Sequence, residues 1–140
     1  MKVNKLTPNL EVKDIESTVT FYQSVLGFTL VMAVPSTQDA MDESFISDKD
    51  YVYALVKKDN VELMFQRTDS FKQDVTLARG LPIGASVSFY MEVNGLDDFF
   101  VSIKDKVDVF TAPEMAWYGM REFYLKDING YILGFAEKVE

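Results

Sequence analysis

Apolar and polar positions alternate from residue 6 to residue 12, with Leu6, Pro8, Leu10 and Val12 set against Thr7, Asn9 and Glu11. A period of two marks a half-buried strand. The period then lengthens. Ile15, Val19, Tyr22 and Leu26 share one face of a helix that Asp14 can cap and Gly27 can close. Residues 28–34 (FTLVMAV) read as the next strand, and 51–59 with 61–66 (YVYALVKKD, VELMFQ) predict a hairpin turning at Asp59-Asn60.

After an aperiodic stretch at 67–84 the same order returns. Ser86, Ser88, Tyr90 and Glu92 alternate with Val87, Phe89, Met91 and Val93. Leu96, Phe99, Phe100 and Ile103 then mark a helical face, with Asp97 and Asp98 at its start and Lys104 and Lys106 near its end, as the helix dipole prefers. Strands are expected at 107–113, 120–126 and 130–137, the last two joined by the turn Asp127-Ile128-Asn129-Gly130. Thr7 superposes on Ser88 and Asp14 on Gly95, an offset of 81, whereas Phe65 superposes on Phe135, an offset of 70. The difference of 11 is the extra length of the loop at 35–50 in the first half, a segment that either covers a ligand or merely crosses the surface. The expectation is an α+β fold of two βαβββ modules, 1–66 and 85–140, joined by a linker at 67–84 into one domain whose strands curve around a shared cleft.

Composition narrows the chemistry. The 140 residues include no histidine and no cysteine, so imidazole, thiolate and disulfide chemistry are excluded. Absence of cysteine fits a cytoplasmic protein. The opening MKVNKLTPNLEV lacks the apolar core of a secretory signal, which suggests that the mature chain starts there. No apolar run approaches the roughly 20 residues of a membrane span. A formal charge of −8, from 22 acidic against 14 basic residues, repels phosphate backbones and argues against nucleic acid. That charge serves solubility, attraction of a cationic ligand, or both.

The phrases TPNLEVKD, TFYQSVLGF, DNVELMFQ and WYGMREFYLKDINGYILGF cover both halves and nearly the whole chain. Together they resemble the vicinal oxygen chelate superfamily, which comprises glyoxalases, extradiol dioxygenases, fosfomycin-inactivating enzymes and bleomycin-binding resistance proteins. The resemblance implies the cleft-forming fold, and in enzymatic members a divalent metal on four cleft-facing His, Glu or Gln residues. Carried over, those positions are Thr7, Ser88, Gly134 and either Met64 (if the repeat sets the register) or Glu62 (if the strand is aligned on VEL). Such a set does not suit Zn²⁺, Mn²⁺, Fe²⁺ or Ni²⁺, so no metal and no cofactor are expected.

Without histidine, acid–base work would fall to Glu11, Glu62, Tyr90 or Glu92, beside the neutral Asn9. Ser88 has no base to activate it, and no catalytic residue is expected. The acidic positions are either solvated strand ends or functional carboxylates, with Glu62 the strongest candidate for the latter. By the resemblance Trp117 stands at the cleft mouth, as a stacking wall or as a packing residue, while Arg121 would meet an acidic ligand group or Glu122. Phe89, Phe99, Phe100, Phe135 and Tyr22 read as core.

The expected function is metal-free binding of a small molecule, cationic and aromatic, through Thr7, Asn9, Glu62, Met64, Ser88, Tyr90, Trp117 and Gly134. By the resemblance the chain would act as a homodimer in the manner of bleomycin-resistance proteins. The alternatives are a metal-dependent lyase, transferase or dioxygenase with an atypical shell around Glu62, and a regulatory module whose cleft is unused.

Overall fold

A computed structural model describes residues 1–84 and 86–139. Ala85 and Glu140, the two ends expected for the second module, lie outside the described residues. The chain divides into two compact units, Met1–Ile83 and Gly84–Glu140.

In the first unit β1 (Asn9–Val12) leads into α1 (Ile15–Ser24), followed by β2 (Thr29–Pro35), β3 (Tyr51–Lys58) and β4 (Val61–Arg67). The sheet order is β1-β4-β3-β2, with β1 parallel to β4 and the other neighbours antiparallel. Asp14 caps α1 as expected, its carboxylate accepting from the Ser17 amide at 2.8 Å. Gly27, at φ 75, ends the helix, and the Phe28 amide returns to the Tyr22 carbonyl at 2.9 Å. The buried face of α1 (Ile15, Thr18, Val19, Phe21 and Tyr22) packs with the inward residues of the sheet, and the Tyr22 ring lies 4.8 Å from that of Phe65. The hairpin turn at Asp59-Asn60 forms, with Asp59 at φ 50.

The 67–84 segment is not a bare connection. Thr68–Asp74 forms a short helix, α2, within the first compact unit. Gln66 donates to Ser70 Oγ and to Asp74 Oδ2, both at 2.8 Å. Lys72 lies 3.4 Å from the buried Glu11 carboxylate and donates to the carbonyls of Ala78 and Leu81. The long loop before β3 is pinned too, since Asp42 and Ala33 exchange backbone hydrogen bonds at 2.8 Å. Tyr51 donates to Asp42 Oδ2 at 2.7 Å and accepts from the Ile46 amide at 2.9 Å.

The second unit repeats the order: β5 (Ser88–Glu92), α3 (Leu96–Ile103), β6 (Glu114–Met115), β7 (Met120–Lys126) and β8 (Ile132–Lys138). Its sheet runs β5-β8-β7-β6, again with the first pair parallel. Phe123, Leu125, Leu133 and Phe135 are buried with Leu96 and Ile103 of α3. The start of α3 is closed from a distance, because Glu137 on β8 accepts from the amides of Gly95 (2.7 Å) and Leu96 (3.2 Å).

The strand expected at 107–113 does not form as drawn. Two backbone bonds tie this stretch to β7, from Thr111 to Tyr124 and from Lys126 to Val109. Pro113 has no amide to continue the ladder, and regular pairing resumes only at Glu114 and Met115. Both repeat offsets hold in the pairing. Asn9 stands opposite Met64, and Tyr90 opposite Gly134, so Met64 rather than Glu62 is the counterpart of Gly134.

Candidate functional site

Each sheet has a face turned away from its helix. In the first unit Leu10, Val12, Leu63 and Phe65 are buried toward α1, so the pleat sends Asn9, Glu11, Glu62, Met64 and Gln66 to the other side. Thr7 precedes β1, partly exposed. Asn9 donates to Gln66 Oε1 at 2.9 Å, while its own Oδ1 is buried without a partner. Glu62 is an ion pair with Lys5, and that ammonium, assisted by Lys57 across the hairpin, lowers the carboxyl pKa. Glu11 is no solvated strand end: it is 7% exposed and held by Lys72. Both carboxylates of this face are therefore neutralised by the chain's own lysines.

The opposite face of the second sheet is built differently. Phe123, Leu125 and Phe135 point to the core, which leaves Ser88, Tyr90, Glu92, Glu122, Tyr124 and Gly134 on the other side. Tyr90 donates to Glu122 Oε2 at 2.6 Å, and Tyr118 donates to Glu122 Oε1 at 2.6 Å. Both phenol pKa values are raised, chiefly by that carboxylate, so both remain donors. No lysine or arginine among the described residues pairs with Glu122. Arg121, expected near Glu122 or a ligand acid, instead grips Asp97 on α3, with its Nη2 2.8 Å from Oδ1. Glu92 and Glu114 extend the acidic row, since Glu92 and Glu122 both stand opposite Ala136 and Glu114 stands opposite Glu122. Ser88 lies exposed two residues before Tyr90. Trp117 is 95% exposed, with its ring edge-on to Tyr118 at 5.4 Å.

Of the eight expected site residues, Asn9, Glu62 and Met64 share the first face, and Ser88, Tyr90 and Gly134 share the second. Glu122, Tyr118 and Tyr124 complete the second face and were not among the sequence candidates. The alternation in MREFYLK carries part of that signal, because Glu122 and Tyr124 flank the core residue Phe123. An open hollow of about 440 Å³ in the first unit, among Pro35, Thr37, Asp39, Asp48, Lys49 and Asp50, is lined by none of the expected site residues.

The family model for the Glyoxalase/Bleomycin resistance protein/Dioxygenase superfamily matches residues 3–135. The chain belongs to that superfamily. Solved structures agree on the fold of this glyoxalase/bleomycin-resistance chain. A glyoxalase/bleomycin resistance protein/dioxygenase from Nocardioides is 16% identical with a TM-score of 0.73, over 100% of this chain and 86% of the other. A glyoxalase-related enzyme from Clostridium phytofermentans is 19% identical with a TM-score of 0.68, covering 99% of this chain and 98% of its own. The bleomycin-binding protein of Streptomyces verticillus, solved with copper(II)-bleomycin, is 20% identical with a TM-score of 0.59 over 100% and 99% of the two chains. A search of curated proteins returns no match. At these identities the structural likeness establishes the fold alone.

A divalent metal of the kind the superfamily's enzymes use does not fit the residues present. Thr7 and Ser88 offer neutral hydroxyls, Met64 a thioether and Gly134 no side chain. Glu62, the alternative in the second position, is engaged by Lys5. No group of three or more His, Cys, Asp or Glu side chains able to hold a metal occurs among the described residues.

Proposed function

We propose that this superfamily member, with no metal of its own, binds a small organic cation with a planar aromatic part. That its fold is shared by bleomycin-binding proteins solved with bleomycin and with copper(II)-bleomycin supports a small-molecule ligand. The observation that carries this reading is the Tyr90–Glu122–Tyr118 arrangement. Two phenols hold this carboxylate beside their own aromatic rings. That pairing suits a weakly hydrated cation, which gains from both the charge and the ring quadrupoles. The sequence favoured Glu62 for this role, but the cation of Lys5 already sits there. Glu122 therefore replaces it as the anchoring acid, with Tyr90, Trp117 and Tyr118 supplying ring surface.

Two chains are proposed to pair as a homodimer, consistent with Met115, Trp117 and Tyr118 standing exposed on neighbouring positions. No helix among the described residues is long and apolar enough to cross a membrane, and a chain without cysteine suits a reducing compartment such as the cytoplasm.

Isothermal titration with metal-free bleomycin and with berberine, a planar aromatic cation, tests the reading. Saturable binding that weakens as salt rises is expected. Preference for neutral or anionic aromatics of the same size would overturn it.

A further inference from the structure

We infer that Gly134 seats a pair of tyrosine rings, and that its missing side chain determines where the planar part of a ligand rests on the second unit. This deepens the reading above and, for the ligand's part, rests on it. Gly134 lies on β8 directly between Tyr90 of β5 and Tyr124 of β7. Unlike Gly130, at φ 90 in its turn, Gly134 has no positive φ, so its backbone does not call for glycine. Space does. A Cβ at this position would fall 2.7 Å from Tyr124 Cε1, 3.1 Å from Tyr124 Cδ1 and 3.3 Å from Tyr90 Cδ1.

Neighbouring strands stand about 4.8 Å apart. Rings from both neighbours thus lean over the central strand at the one residue that leaves room for them. The equivalent row of the first unit supports the point. There the central residue is Met64, and its neighbours are Asn9 and Leu55, neither of them aromatic. The bulky centre goes with smaller flanks, and the empty centre goes with two tyrosines. Tyr90 also holds Glu122, so the seat couples ring position to the anchoring carboxylate. The same crowding closes this position to a metal-ligating side chain, since any β-carbon would meet Tyr124 first.

The test uses the full chain with Gly134→Ala, Tyr124→Ala and the double variant, read by thermal unfolding, tyrosine ring resonances and titration with berberine. Gly134→Ala is expected to shift the Tyr124 and Tyr90 resonances, lower the melting temperature and weaken berberine at least about fivefold. The double variant is expected to regain melting temperature over Gly134→Ala but not affinity. Unchanged ring resonances and affinity in Gly134→Ala would overturn the inference. So would a double variant that is no more stable than Gly134→Ala, because the clash would then not lie with Tyr124. If the wild type fails to bind berberine or bleomycin, the functional reading falls, and the ring resonances and melting temperatures still decide the seat.

Discussion

Glu122 occupies in the second sheet the position that Tyr53 holds in the first, since Tyr53 stands opposite Gln66 and Glu122 opposite Ala136, the two partners being equivalent by the offset of 70. One half of the repeat thus presents a phenol where the other presents a carboxylate. The asymmetry is sharpened by the lysines, which neutralise Glu11 and Glu62 in the first half and, among the described residues, pair with no acid of the Glu122 row.

Charge removal should therefore act on one half only. Glu122→Gln is expected to weaken berberine about tenfold at low salt, on the order of 1.4 kcal/mol, with the difference shrinking as salt rises. Glu62→Gln is expected to change the affinity less than about twofold. Calorimetric titration of both variants decides the point, and a larger effect at Glu62 would return the anchoring role to the first unit.

Chelation should be without consequence. Thr7, Met64, Ser88 and Gly134 provide no strong donors, so dialysis against a chelator is expected to leave the melting temperature unchanged. Elemental analysis finding about one transition metal per chain would refute this.

Stability should fall at both ends of the pH range. Lys5 depresses Glu62, Tyr51 and Lys49 depress Asp42, Arg121 depresses Asp97, and Arg67 brings Asp69 to about 2. A folded pKa below the ordinary carboxyl value near 4 contributes stability that is present above that value and lost as pH falls toward 2. Glu122 raises Tyr90 and Tyr118, while burial raises Tyr51. Those phenols contribute stability that is present below the ordinary value near 10 and lost as pH climbs past it. Urea midpoints are expected to be flat from about pH 5 to 9 and lower on either side. Equal midpoints at about pH 3 and 7 would contradict the acid arm, and Tyr118→Phe should reduce the alkaline loss.

Core and surface aromatics should separate cleanly. Tyr22 is fully buried against Phe21, Phe28 and Phe65, so Tyr22→Ala is expected to cost about 3–5 kcal/mol. Trp117→Ala, at a site exposed in the single chain, is expected to stay within about 0.5 kcal/mol at protein concentrations too low for two chains to pair. Denaturant unfolding of the two variants in that dilute range measures both, and a comparable loss at Trp117 there would mean that the residue is covered within the single chain.

Much of the fold is legible in the sequence because period-two strands and two unequal offsets leave few ways to pair. Those offsets carry Asn9 onto Tyr90 and Met64 onto Gly134, and the two sheets pair both sets alike. The site is less legible, for reasons particular to each residue. Lys5 belongs to no helix or strand, so nothing periodic announces its reach to Glu62. Only seven residues long, α2 depends on Gln66 and on its lysine's contact with Glu11 rather than on a repeating apolar face. Arg121 and Glu122 are adjacent and of opposite charge, yet the pleat sends them to opposite faces, and only the placement of α3 gives Asp97 to the arginine.

The two helices also differ in when they can be completed. Asp14 closes the start of α1 from three residues away, so that helix carries its own beginning and can form early from local contacts. The start of α3 waits for Glu137, 42 residues along the chain from Gly95. Until β8 has docked beside β5, two amides at the head of α3 lack their partner, and a long stretch of chain must be ordered before they gain it. The near-symmetry of the finished halves thus conceals two different closures, one local and one long-range. The first half can nucleate on its helix, whereas in the second the helix is settled by the strand that closes the sheet.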